Sequence, residues 1–194
     1  GIAIGASGNG GAIRLYSGML TMTNSSLLQN SAYAGGGISV RDSSGVLTNV
    51  KVISNYASQV GGGISLVFGD LKMGASFGSE CRPSSLLAHT YCSEVRGNES
   101  PGAGAGFQIE GPAWAEIADT AFLENRGTYF DGSNGAALMV GSGADASVTN
   151  GLFSENGANS NSAVHVGADA TYWSDNSTYA GNQDVPLSVE SQGT

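Results

Sequence analysis

Two glutamates in equivalent sequence positions are the residues of this chain best placed for acid–base or metal chemistry. Glu124 and Glu155 each stand directly before an Asn that recurs along the sequence. On neighbouring strands of a sheet, their carboxylates would lie about 5 Å apart. That is the separation found in retaining glycosidases, and it would also supply half of a calcium site. The alternative, which we favour, is two solvated carboxylates on the surface.

Trp173 is a second candidate, because it falls at a strand position that is predicted to face solvent. An exposed Trp presents a large apolar ring and one N–H donor, which suit a sugar ring or a partner protein. The alternative is that the indole packs against a corner loop. The residues aligned with Trp173 in the other repeats are Thr21, Val46, His89, Glu116 and Ser147.

Other chemistries lack the residues that they need. His89 and His165 have no second His or Cys at metal-ligand spacing, so the sequence argues against zinc. The sequence contains neither a Gly-x-Ser-x-Gly elbow nor a phosphate-binding loop. We therefore expect no cofactor, and calcium enters only if the chain is an enzyme.

The charge of the chain narrows its partners. The sequence has 7 basic and 16 acidic residues, for a formal net charge of −9. This balance disfavours nucleic acid and anionic membranes, which attract basic patches. No run of 18 apolar residues occurs, so no transmembrane segment is expected. The expected partners are other protein subunits or surface glycans.

The elements that position these side chains follow a repeat of about 25 residues. Its first signal, Gly-Gly-(Ala/Gly)-Ile, begins at residues 10, 35 and 61. Its second signal, an apolar residue followed three positions later by Asn, ends at Asn30, Asn55, Asn98, Asn125, Asn156 and Asn182. A unit of this length cannot bury its own apolar face, so neighbouring units must stack.

Each unit reads as short alternating strands joined by polar corners. Residues two apart point to the same side of a strand, which predicts two inward columns. The inward columns are Ile13, Ile38, Ile64, Phe107, Leu138, Val164 and Leu15, Val40, Leu66, Ile109, Val140, Val166. The residues between them are predicted to face solvent: Arg14, Ser39, Ser65, Gln108, Met139 and His165. Asn and Asp tolerate left-handed backbone geometry, which predicts corners at Asn24, Asn49, Asp119, Asn150 and Asn176. The six Asn of the second signal are predicted to be structural corner residues as well.

Three short strands per unit predict an all-β fold, a right-handed parallel β-helix of about six coils with one inserted loop. The handedness follows the general bias of parallel crossovers. A β-sandwich would show hairpin signals every 8–12 residues, and a leucine-rich repeat would show several Leu at fixed offsets. The sequence shows neither, so residues 1–194 are predicted to form one β-helical domain.

The repeat is interrupted once, by an irregular insertion at about residues 68–87. Both cysteines of the chain, Cys81 and Cys92, lie in or near it. A disulfide between them would close a short loop, as extracellular conditions permit, and two buried free thiols are the alternative. Residues 1–4 already read as strand and no helix covers either end. We therefore expect the chain to be part of a longer protein or assembly.

The two repeat signals resemble those of the polymorphic outer membrane proteins, a family of surface-displayed proteins. The Gly-Gly-(Ala/Gly)-Ile segments at residues 10–13, 35–38 and 61–64 carry the resemblance, together with Phe-x-x-Asn at 122–125 and 153–156. The resemblance implies a β-helical surface segment that acts in adhesion or display. We expect a non-catalytic extracellular or cell-surface scaffold, and the competing hypothesis is a polysaccharide lyase or glycoside hydrolase of the pectin-lyase-like class.

Overall fold

The computed structural model describes residues 8–74, 92–128, 135–157, 162–183 and 185–190. This part of the chain is all-β, without helices. Its strands form a 15-stranded sheet and a 4-stranded sheet, and every pairing in both is parallel. Accordingly, the described residues include no helix that is long and apolar enough to cross a membrane.

The large sheet consists of three stacks of strands, each drawing one strand segment from successive repeats. The first stack contains β1 (Ile13–Tyr16), the start of β4 (Ile38–Ile53), the start of β6 (Ile64–Gly74), β9 (Phe107–Glu110), β13 (Leu138–Val140), β16 (Val164–Val166) and β19 (Leu187–Val189). The second stack contains β2 (Met19–Leu28), the middle of β4, the end of β6, β10 (Trp114–Ala118), β14 (Asp145–Thr149) and β17 (Thr171–Asp175).

The third stack continues from the ends of the long strands β2 and β4. It adds β7 (Ser93–Arg96), β11 (Thr120–Leu123), β15 (Leu152–Ser154) and β18 (Thr178–Ala180). The 4-stranded sheet contains β3 (Ser31–Ala34), β5 (Tyr56–Val60), β8 (Glu99–Ser100) and β12 (Arg126–Gly127). Successive repeats therefore lie beside one another in register, strand on strand.

The core is built from the two predicted inward columns. Ile13 pairs with Ile38, and Ile38 pairs with Ile64, so like residues are direct neighbours. Ile38, Ile64 and their counterparts in the later repeats are fully buried. In the third stack, the rings of Phe122, Phe153 and Tyr179 lie face to face with centroids 4.9 Å apart. The predicted columns are confirmed.

The corners lie in the left-handed backbone region. Five of the predicted corner residues have positive φ, between 44° and 53°: Asn24, Asn49, Asp119, Asn150 and Asn176. At the second signal, positive φ falls on the residue before the Asn and not on the predicted Asn itself. A further corner column precedes the second Asn signal and contains Gln29, Ser54, Gly97, Glu124, Glu155 and Gly181. Side chains with short polar groups or no Cβ tolerate this geometry best.

The predicted start of the insertion, near residue 68, is too early. Residues 69–74 belong to β6 and pair in register with residues 43–48 of β4. In the second stack the place predicted for His89 is consequently taken by Lys72, which pairs with Val46 and Glu116. Residues 75–91 lie outside the described part of the chain. The sequence misplaced the boundary because residues 68–74 continue the strand alternation without a repeat signal.

The prediction that the residues between the inward columns face solvent is wrong for most of them. Ser39, Ser65, Gln108 and His165 are buried, whereas Arg14 is exposed. The glycine turn before each strand folds back over this position. A Cβ on Gly61 would lie 2.9 Å from Cβ of Ser65, and one on Gly104 would lie 2.8 Å from Cβ of Gln108. This contact favours small or polar side chains beneath the turn.

Candidate functional site

Trp173 has an aromatic partner that the sequence analysis did not assign. Its ring centroid lies 5.7 Å from that of Trp114, with the planes tilted by 57°. The two residues stand on β17 and β10, on either side of β14. The indoles therefore meet above the outward residues of β14, Asp145 and Ser147. Trp173 is 50% exposed and Trp114 is half-buried, so one ring presents an open face.

Acidic side chains surround this tryptophan pair. The outward residues of the second stack, from β6 onwards, include Asp70, Glu116, Asp145 and Asp175. Among the described residues of this face, Lys72 carries the positive charge. It donates to Glu116 at 2.7 Å, and this hydrogen bond raises the pKa of Lys72. The face around the indoles therefore carries an excess of negative charge.

Glu124 and Glu155 occupy equivalent corners in neighbouring repeats, as the sequence predicted. The backbone N–H of Glu124 donates to the carbonyl of Ser154, the residue before Glu155. The carboxylate of Glu124 is held by Arg96, whose Nη2 donates to Oε1 at 3.0 Å and whose Nε donates to Oε2 at 3.3 Å. A carboxylate bound by a guanidinium in this way is poorly placed to act as a nucleophile or to bind calcium.

The second Asn signal forms a continuous buried ladder. Asn98 shows the pattern: its Oδ1 accepts from the backbone N–H and the Nδ2 of Asn55, at 2.9 and 3.0 Å. Its Nδ2 donates to the carbonyl of Val52 at 2.9 Å and to Oδ1 of Asn125 at 3.0 Å. The same hydrogen bonds continue through Asn30, Asn55, Asn98, Asn125, Asn156 and Asn182. Each interior amide satisfies both donors and both acceptor sites, so these residues are structural.

The corner Asn column makes shorter links. Nδ2 of Asn49 donates to Oδ1 of Asn24 at 2.6 Å, and Nδ2 of Asn150 donates to Oδ1 of Asp119. Asn24, Asn49 and Asn176 are less buried than the interior ladder residues Asn55, Asn98 and Asn125. This column therefore holds corners together at the surface.

Cys92 is buried and takes part in a disulfide. Its predicted partner, Cys81, lies outside the described residues, so the pairing of the two stays a prediction. The backbone N–H of Cys92 donates to the carbonyl of Asp119 at 2.8 Å, which places the cysteine at the corner that begins the third stack. The bond therefore attaches to a position within the regular repeat.

A polar line that sequence reasoning missed runs along the buried positions of the first stack. Oγ of Ser65 lies 3.1 Å from Oε1 of Gln108, and Nε2 of Gln108 donates to Oε2 of Glu110 at 3.2 Å. Oε2 of Glu110 lies over Gly141, where it would stand 2.5 Å from an added Cβ. The sequence did contain a signal for this buried line, because polar residues recur at this position between two apolar columns.

A second polar group lies further along the same positions, beyond Met139, and contains His165. Its Nδ1 lies 2.8 Å from Oγ of Ser188, and Oγ of Ser188 lies 2.7 Å from Oγ of Ser162. Its Nε2 is buried and makes no hydrogen bond, although Oε1 of Glu190 is 3.3 Å away, because the carboxylate lies outside hydrogen-bond geometry. The Ser188 hydroxyl and the imidazole are hydrogen-bonded, but the imidazole–carboxylate hydrogen bond that completes an activated serine nucleophile is not formed.

Metal binding has no support in the described ranges. No group of three or more His, Cys, Asp or Glu side chains there has an arrangement that would hold an ion.

Near the tryptophan pair, burial raises the pKa of Tyr172, whose hydroxyl lies 2.7 Å from that of Tyr179. This hydroxyl pair faces the core and is not part of the outward surface.

No family model matches the chain, and neither a curated protein nor a solved structure is significantly similar to it. The resemblance to the polymorphic outer membrane protein repeats therefore stays a prediction. The geometry of the described residues carries the functional argument alone.

Proposed function

We propose that this chain is a right-handed parallel β-helix of about six coils that serves as a non-catalytic extracellular or cell-surface scaffold. Its binding role is adhesin-like and is carried by the outward face of the second stack. The partners in this proposal are other protein subunits or surface glycans, and no cofactor takes part.

The in-register stacking of consecutive repeats supports the β-helical winding. Ile38, for example, pairs with Ile13 on one side and Ile64 on the other, all in parallel strands. A fully satisfied amide ladder and a continuous apolar column favour a rigid rod over a flexible linker. The disulfide at Cys92 supports an oxidising compartment, because such bonds persist outside the reducing cytosol.

The paired tryptophans are the single observation that carries the binding role. Large apolar rings that remain exposed on a soluble surface often mark interaction sites. Trp173 lies on the outward face of β17, half exposed, with its ring packed against that of Trp114. The enzyme alternative that rests on Glu124 and Glu155 is weakened, because Arg96 binds the carboxylate of Glu124.

The competing enzyme hypothesis rests on different residues, Glu110, His165 and Glu190. In register, Gly141 and Gly167 stand between the two glutamates on the first stack. Their backbones are three strand spacings, about 14 Å, apart. Long side chains reaching towards each other from that distance would leave room for a sugar ring.

Binding and cleavage assays separate the two functions. We expect the labelled protein to bind a subset of an array of glycans and extracellular proteins, and Trp173→Ala to abolish that binding. Tyr33→Ala is the matched control, since Tyr33 is 41% exposed on the 4-stranded sheet. Cleavage of polygalacturonate, xylan or β-glucan that is lost in a Glu110→Gln, Glu190→Gln double variant would overturn the scaffold proposal.

A further inference from the structure

We infer that the outward face around Trp114 and Trp173 binds an organic cation, namely a quaternary ammonium group. This inference deepens the proposed binding role of the same face and rests on it. The site is made from two indole rings, the carboxylate of Asp145 between their strands, and the surrounding acidic residues of the second stack.

The open part of the ring pair is Trp173. The two indoles pack against each other, with planes tilted by 57° and centroids 5.7 Å apart, and Trp173 remains 50% exposed. A cation is attracted to the face of an aromatic ring within about 6 Å of its centroid, and Trp is the strongest such ring. A methylated ammonium would bind on the exposed part of Trp173, which Trp114 holds in place.

Asp145 supplies a full negative charge on the strand between the two tryptophans. It pairs in register with Trp114 on one side and Thr171 on the other, so it stands one strand spacing from each. Its side chain is half-buried, which reduces the screening of its charge by solvent. The carboxylate and the ring faces therefore attract the same kind of ligand.

The charge of the surrounding face favours a cation over the other ligands of aromatic surfaces. Asp70, Glu116 and Asp175 add negative charge, and Lys72 is already paired with Glu116 at 2.7 Å. An anionic sugar or a phosphate would be repelled by this arrangement. A neutral sugar could donate hydrogen bonds to Asp145, but it would gain nothing from the net negative charge of the whole face.

The chain provides its own probe, because Trp114 and Trp173 are its 2 tryptophans. Tryptophan fluorescence therefore reports on this site alone. The protein is titrated at low ionic strength with choline and, separately, with 3,3-dimethyl-1-butanol, which has the same shape without the charge. We expect a saturable fluorescence change with choline, and an affinity for the neutral analogue that is lower by about tenfold or more.

Variants then assign the contacts. Trp173→Ala should lower the affinity for choline by about tenfold, and Asp145→Asn by about threefold or more at low salt. Glu99→Gln removes one exposed carboxylate from the 4-stranded sheet and should leave the affinity unchanged. Thermal unfolding of each variant shows whether the fold is retained, and Trp173→Phe, which preserves an aromatic face, should restore part of the affinity.

Equal responses to choline and its neutral analogue, or no saturable response to choline, would overturn the inference. A neutral glycan that binds in a Trp173-dependent way while choline does not would also overturn it and would leave the proposed scaffold function standing. Sugar cleavage by the protein is the separate result that contradicts the scaffold function itself.

Discussion

Gly63 lacks a side chain where the amide of Asn98 needs space. A Cβ on Gly63 would lie 3.0 Å from Cγ of Asn98 and 2.6 Å from the carbonyl oxygen of Gly106. The same contact joins Gly37 to Asn55 and Gly106 to Asn125. The two signals that define the repeat, one rich in glycine and one ending in Asn, are therefore opposite sides of one packing contact.

Substitution of Gly63 by Ala should destabilise the protein by about 2 kcal/mol, because overfilling a packed interior forces neighbours to move. Urea unfolding of the two proteins measures the change. Because the added Cβ would meet the amide of Asn98, the cost of Gly63→Ala should depend on whether that amide is present. In an Asn98→Ala background the same substitution should cost less, and equal costs in both backgrounds would contradict the contact.

Asn98→Ala should destabilise the protein by about 3–5 kcal/mol. The amide of Asn98 makes four hydrogen bonds, and its removal leaves buried groups of Asn55 and Val52 without partners. Asn30→Ala is the matched control. The side chain of Asn30 donates one hydrogen bond in this ladder, to Asn55, and is less buried, so its loss should cost about 1 kcal/mol. Similar costs at the two positions would show that the ladder does not act as a buried network.

Glu155→Gly should stabilise the protein by about 0.5–1 kcal/mol, since Glu155 has φ +55° and glycine adopts this region without a Cβ penalty. The reverse change at an equivalent corner is Gly181→Ala, where φ is +61° and the added Cβ would meet no atom closer than 3.6 Å. It should destabilise by a similar amount. Chemical denaturation of both variants measures the two changes in stability. A destabilised Glu155→Gly together with a stabilised Gly181→Ala would reject backbone strain as the cause.

Stability should fall as the pH rises above about 10, because unfolded tyrosine loses its proton there while burial raises the pKa of Tyr172 in the folded state. Above that pH the folded state binds more protons than the unfolded state, so the free energy of unfolding decreases with pH. Tyr172→Phe should flatten this decline, measured by urea unfolding between pH 9 and pH 11. Tyr33→Phe, at an exposed site, should leave the slope as it was.

Alternation and spacing were sufficient to predict the columns that form the core. Ile13, Ile38 and Ile64 sit at fixed offsets from a repeated signal, and in-register stacking makes such residues neighbours. The left-handed corners at Asn24 and Asn49 followed from residue type, because few other side chains accept that backbone.

Contacts that depend on side-chain reach or on turn geometry were not predictable. Arg96 binds Glu124 from the neighbouring repeat, a pairing that no fixed spacing encodes for a long flexible side chain. The burial of Ser65 and Gln108 depends on how the preceding glycine turn folds back. Trp114 could have been found, since it precedes Glu116 by two residues and so shares the outward face of β10.

The direction of the Asn ladder has a consequence for how the stack of repeats could change its length. Every interior amide oxygen accepts from the preceding repeat, and one of the two N–H groups of each amide donates to the following repeat. Each repeat therefore presents the same pair of interfaces. Removing or duplicating one whole repeat would restore equivalent contacts at the new junction. Evolution could therefore lengthen or shorten such a molecule by whole repeats, in steps of one strand spacing, without changing its interior contacts.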